Sequence, residues 1–144
     1  MRPIEIFINK ADVYDEVVKT TAYTGAKQAI DDKSFDKVFM SDAEFEMLDR
    51  YWKEICAEIS LKLSEWIESI ETESAVITLN VADGFNDALT ESLTQAITSY
   101  FVTSLLQKWY SIAIPALAEG MITESILHIK RVTELVNQRK RPVK

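Results

Sequence analysis

Cysteine occurs once in this chain, at Cys56, so no disulfide can close within it. Histidine also occurs once, at His128. A carboxylate-bridged di-metal centre needs Glu-x-x-His twice, and the second histidine is missing. Glycine and proline number three each, and so little punctuation favours long helices over a many-stranded sheet. Gly25, Gly84 and Gly120 stand apart from one another, so none belongs to a phosphate-cradling loop. No apolar run is long enough to span a bilayer. Met1, Arg2 and Pro3 lead into only a short apolar run at residues 4–8, which is not the pattern of a signal peptide.

What remains is the composition of an ordinary globular protein. The chain has 144 residues, 47% of them hydrophobic and 27% charged, enough for one domain with its own core. The net charge of −7 is unevenly spread. Residues 130–144 hold six basic side chains and one acid, a local +5, which leaves −12 on residues 1–129. An acidic body argues against a general nucleic-acid surface and leaves the basic tail as the one place for phosphate. A basic end on an acidic body points instead to an acidic neighbour, which could be another copy of the chain.

Residues 87–112 form the stretch around which the rest is organised. No charge falls between Glu91 and Lys108, and Leu89, Leu93, Ile97, Tyr100, Phe101, Leu105 and Trp109 recur at helical spacing. Half of residues 92–107 are Ser, Thr or Gln, so this is a helix packed inside a protein rather than a membrane span.

The remaining elements follow in chain order. Ile4, Ile6 and Ile8 alternate with Glu5 and Phe7, as in a short strand or a docking arm. Asn9 is placed to cap a first helix whose buried face would hold Tyr14, Val18, Thr21, Ala22, Gly25 and Ala29. A polar loop with Phe35 and Phe39 follows, and Ser41 with Glu44 forms a capping box. The box opens a helix stepping through Phe45, Leu48, Trp52, Ile55, Ile59, Leu63, Trp66 and Ile70. Opposite that stripe lie Glu54, Glu58, Glu65 and Glu68, an acidic face. Residues 75–81 read as the best strand, with Ala75, Ile77, Leu79 and Val81 on one side. A lone strand is not stable, so its partner is residues 4–8 or a strand of another subunit. Asn86 caps the central helix, and Pro115 ends it and starts the next. Ala118, Ile122, Ile126, Ile129, Val132 and Val136 form the expected buried stripe of the last helix.

The expected fold is therefore mainly α. It is a bundle of about four helices near residues 10–29, 42–70, 87–113 and 116–139, with short β elements near 75–81 and 4–8. It forms one domain over residues 1–144, with an N-terminal arm at 1–9 and a basic tail at 139–144.

Signals for chemistry are few. Glu124 lies one turn before His128, where the two can pair on a helix surface. Cys56 sits beside Ile55 at a core position, where a buried structural thiol is the common state. No convergent acid, base, nucleophile or metal set appears, so neither an enzyme nor a cofactor is expected. Arg139, Lys140 and Arg141 place basic charge at a helix C-terminus.

Three segments carry a resemblance. They are Tyr23-Thr24-Gly25-Ala26-Lys27, then Ser99-Tyr100-Phe101-Val102 running to Lys108-Trp109-Tyr110, and the ending Arg139-Lys140-Arg141-Pro142. Together they resemble the small helical head–tail connector, or neck adaptor, proteins of tailed phages and prophages. That resemblance implies a ring subunit without an active site, binding copies of itself and phage portal or tail proteins. It would be made in the cytoplasm of the bacterial host and carried in the virion. The expected contact joins the basic Arg139, Lys140 and Arg141 of one copy to the acidic Glu54, Glu58, Glu65 and Glu68 of the next. The alternative is a helical regulatory or immunity-type module that binds one partner protein.

Overall fold

A computed structural model describes residues 1–28, 45–73 and 75–138 of the chain. The capping box at 41–44, the loop aromatics Phe35 and Phe39, and the tail at 139–144 lie outside the described residues. The fold is mainly helical, with four helices and one three-stranded antiparallel sheet among the described residues.

Strand β1 (Arg2–Phe7) leads directly into helix α1 (Lys10–Gln28). The Asn9 side chain accepts the Asp12 amide at 3.1 Å, closing the helix start as its sequence position suggests. Val13, Tyr14, Val17 and Thr21 form the buried face. Gly25 lies within the helical span and does not break it.

Helix α2 (Phe45–Lys62) buries Leu48, Trp52, Ile55, Cys56 and Ile59. The expected helix over 42–70 ends here. The Leu63 carbonyl accepts the amides of both Trp66 and Ile67 at 2.9 Å, which turns the chain into strand β2 (Ile67–Glu71). A register irregularity between Ile67 and Ser69 explains why the sequence suggested helix. It inserts an extra residue, so Ile67 pairs with Leu79 and Ile70 with Ile77. A bulged strand thereby sets side chains three apart on one face, a spacing that a helix shares.

Strand β3 (Val76–Val81) is central, in the order β1-β3-β2. Its buried Ile77, Leu79 and Val81 alternate with half-buried neighbours. Both partners of the strand expected near 75–81 come from its own chain: residues 2–7 form a sheet strand rather than a free arm. Ile8 donates its amide to the Ala75 carbonyl at 2.9 Å, so even-numbered residues of β1 turn their backbone toward β3. Pro3, Glu5 and Phe7 face the open edge, where proline offers no donor and glutamate brings charge. The other edge, β2, is short, bulged and carries Glu68 and Glu71. Both edges are thus poor templates for an added strand.

Ala75, just before β3, has φ of 55°, and its side chain is buried. Its carbonyl is the acceptor that holds Ile8, which ties this backbone shape to the sheet.

Asn86 accepts the Ala88 amide at 3.1 Å and caps a single 3-10 turn, Asp87–Leu89. Helix α3 (Thr90–Ala113) follows. It is the organising element: Leu93, Ile97, Tyr100, Phe101, Leu105, Leu106, Trp109 and Tyr110 are buried, and α1, α2 and the last helix all pack on it. Its hydroxyls bond back one turn, Thr94 to the Thr90 carbonyl at 2.9 Å and Thr98 to the Thr94 carbonyl at 2.8 Å. The phenyl ring of Phe101 lies 4.5 Å from the Trp52 indole, centroid to centroid, and Tyr14 meets that indole edge-on at 5.9 Å. The buried Trp52 N–H donates to the Thr72 carbonyl at 2.9 Å, pinning the β2–β3 turn to the core.

Helix α4 (Pro115–Val136) starts with Pro115, as expected. Its buried side differs from the expected stripe. Ala118, Ser125, Val132, Leu135 and Val136 are buried, whereas Ile122 and Ile126 are 45% and 58% exposed. The cause is a polar contact with α3: Ser125 Oγ lies 2.9 Å from Thr103 Oγ1 and 3.4 Å from Ser104 Oγ. Small hydroxyl side chains at the seam turn α4 so that two isoleucines face outward.

Candidate functional site

The charges decide which surfaces are open. Lys108 projects from α3 with its side chain only 17% exposed. It donates to Glu58 Oε1 at 2.9 Å and lies 3.3 Å from Glu54 Oε2. Burial works against its charge, but the two carboxylates outweigh that cost and raise its pKa. Glu54 and Glu58, expected as an acidic docking face, are therefore engaged inside the chain, strutting α2 against α3. Glu65 lies in the turn after α2, and Glu68 lies on β2, so the four acids do not share a helix face. Both are exposed, and neither pairs with another described residue. Arg139, Lys140 and Arg141 lie outside the described residues.

The acidic surface that remains is on the sheet. Its outer side sets Glu5 in line with Thr78 and Ser69, and Phe7 in line with Val76 and Glu71. Glu5 and Glu68 are exposed, and Phe7 is 63% exposed beside them. The core isoleucines occupy the opposite side of the same sheet.

A second cluster joins α1 to α2. The Tyr14 hydroxyl donates to Asp49 Oδ1, which also meets the Lys10 ammonium at 3.2 Å. Burial first, then the Asp49 bond, raises the Tyr14 pKa; the Tyr14 bond lowers that of Asp49. Lys10 also lies 5.4 Å from the Tyr14 ring and 5.7 Å from the Trp52 ring. Burial pushes the Cys56 thiol up to about 11, the environment of a structural cysteine rather than a nucleophile.

His128 makes no ion pair with Glu124. It lines a cleft of about 340 Å³ between α1, α3 and α4, opposite Asp12 and Glu16. Among the described residues no three of His, Cys, Asp and Glu are placed to hold a metal ion. No described helix is long and apolar enough to cross a membrane.

The remaining feature is apolar. Ile122, Ile126 and Leu127 are 45%, 58% and 58% exposed on the outer side of α4. Sequence reading placed the first two in the core, because a helical stripe shows period but not which side faces in. Lys108 was also missed as a strut. Its signal was present: it is the first base after a stretch with no charge, on the helix expected to be most buried.

No protein-family model, curated protein or solved structure matches this chain.

Proposed function

We propose that the protein is a non-enzymatic structural subunit of the head–tail connector kind, belonging to a tailed phage or prophage. It assembles head-to-tail with copies of itself and docks onto portal or tail proteins. The supporting observation is the division of its acids. Glu54 and Glu58 are held by Lys108, while Glu5, Glu65 and Glu68 stand exposed on the sheet and the turn before it. This open acidic surface is the counterpart of the basic residues Arg139, Lys140 and Arg141. Opposite charges on two parts of one chain suit a heterologous contact, in which different surfaces of successive copies meet. With both sheet edges blunted, the contact runs through side chains rather than through strand addition.

Charges at an interface rim set encounter and orientation and are screened by salt. The test compares the wild-type mass distribution with that of Arg139→Ala/Lys140→Ala/Arg141→Ala and of Glu65→Gln/Glu68→Gln, at low and high salt. Each variant is expected to assemble less than wild type at low salt, and high salt to remove the difference. A triple variant that assembles and binds its phage partners like wild type at low salt contradicts the proposal. A stable small species with one soluble partner would favour the regulatory or immunity-type reading.

A further inference from the structure

The geometry points to a second contact, separate from the head-to-tail one: we propose that two copies pair α4 against α4, antiparallel, about a twofold axis near Thr123. Three features of α4 lead to this. Its outer side exposes Ile122, Ile126 and Leu127. The other large exposed hydrophobics, Met1, Phe7, Leu61 and Ile112, are scattered over other elements. Three such residues within six positions of one helix form a face.

The second feature is Gly120. It lies exposed inside α4, where glycine is a poorer helix former than alanine. A Cβ built there meets nothing within 4 Å, so no contact inside the chain requires its absence. What glycine does provide is a notch on the exposed side, open to a side chain from outside.

The third feature is charge. Exposed Glu119 precedes the apolar residues and exposed Lys130 follows them. A twofold contact must be self-complementary, each surface matching its own inverted copy. An antiparallel pair centred on Thr123 meets that condition. Ile126 of each copy falls opposite Gly120 of the other, knob into notch. Lys130 of each falls one turn from Glu119 of the other, within reach of an ion pair. A parallel pair would instead set Glu119 beside Glu119 and Lys130 beside Lys130. The occupant that fits this face is therefore a second copy of the chain. A single helix pair is a small interface by the standards of stable complexes, so the pairing depends on protein concentration.

The test uses the full-length protein. A residue on a twofold axis meets its own copy, so Thr123→Cys should form an interchain disulfide under oxidised glutathione. Cys56 is buried and does not compete. Ser64→Cys, exposed in the turn after α2, reports random collision. Thr123→Cys is expected to cross-link on the order of tenfold faster than Ser64→Cys, because pairing raises its effective concentration. At high salt, where the charge contact is screened, mass by light scattering should rise from one chain toward two with concentration. Adding Ile126→Glu, at an exposed position where the circular dichroism spectrum is expected to stay that of wild type, should abolish both effects. The proposal is overturned if Thr123→Cys cross-links no faster than Ser64→Cys, or if Ile126→Glu leaves its rate unchanged. A large salt-sensitive assembly in which Thr123→Cys stays unlinked would overturn this contact while supporting the head-to-tail one.

Discussion

The Lys108 ammonium lies 2.9 Å from Glu58 and 3.3 Å from Glu54, so one base on the central helix holds two acids of its neighbour. The partners are about half exposed, and solvent screens part of the attraction. Lys108→Met is expected to cost about 1–2 kcal/mol in denaturant unfolding, including the repulsion left between the glutamates. A double-mutant cycle with Glu58→Gln should give a coupling of about 0.5–1 kcal/mol. A coupling indistinguishable from zero would show that the strut is only a surface pair.

Phe101 is buried against Trp52 at the centre of the core. Phe101→Ala should therefore lower the unfolding free energy by about 3–5 kcal/mol. Loss of less than about 1 kcal/mol would contradict the central place given to α3.

Ala75 holds a left-handed backbone conformation while burying its methyl group. Ala75→Gly relieves the backbone and loses the methyl, two effects of about 1 kcal/mol each with opposite sign. It should be close to neutral. Ala75→Val should destabilise by about 2 kcal/mol or more, since a β-branched residue resists that conformation. Equal stability of the two variants would rule out strain at this turn. Gly120→Ala, measured in dilute protein, should add up to about 1 kcal/mol, because the added methyl meets nothing and helix propensity improves.

Four groups bind protons more tightly in the folded chain than in the unfolded one. Burial raises Cys56 from 9.0 to about 11 and Tyr100 from 10.0 to about 12, while Tyr14 and Lys108 are also raised. Their contribution is fully present below their unfolded values and is lost as pH rises through the folded ones. Stability should thus fall progressively above about pH 9 in chemical denaturation. Asp49 acts in the opposite sense: its lowered pKa stabilises above the ordinary carboxylate range and is lost on acidification. Stability that holds flat from pH 8 to 11 would contradict the burial of these groups.

How far the sequence revealed the fold depended on whether its signal was local. The helix starts at Asn9 and Pro115, the strand ending at Val81 and the burial of α3 all follow from side chains a few positions apart. The end of α2 was obscured because the β2 bulge gives Ile67 and Ile70 the spacing of a helix. The buried side of α4 was obscured because Ser125 faces Thr103 across the seam, a contact visible only once both helices are placed. For the candidate site, the charge imbalance was legible in the sequence. The loss of Glu54 and Glu58 to Lys108 was not, because that pairing joins residues 50 apart in the chain.

The proposed head-to-tail assembly joins copies of this chain through charge. The most direct measurement is the mass of the full-length protein by light scattering, across concentration, at low and high salt. The account predicts species larger than two chains at low salt and high concentration, dispersing as salt rises. A single mass of one chain at every concentration and salt would contradict it.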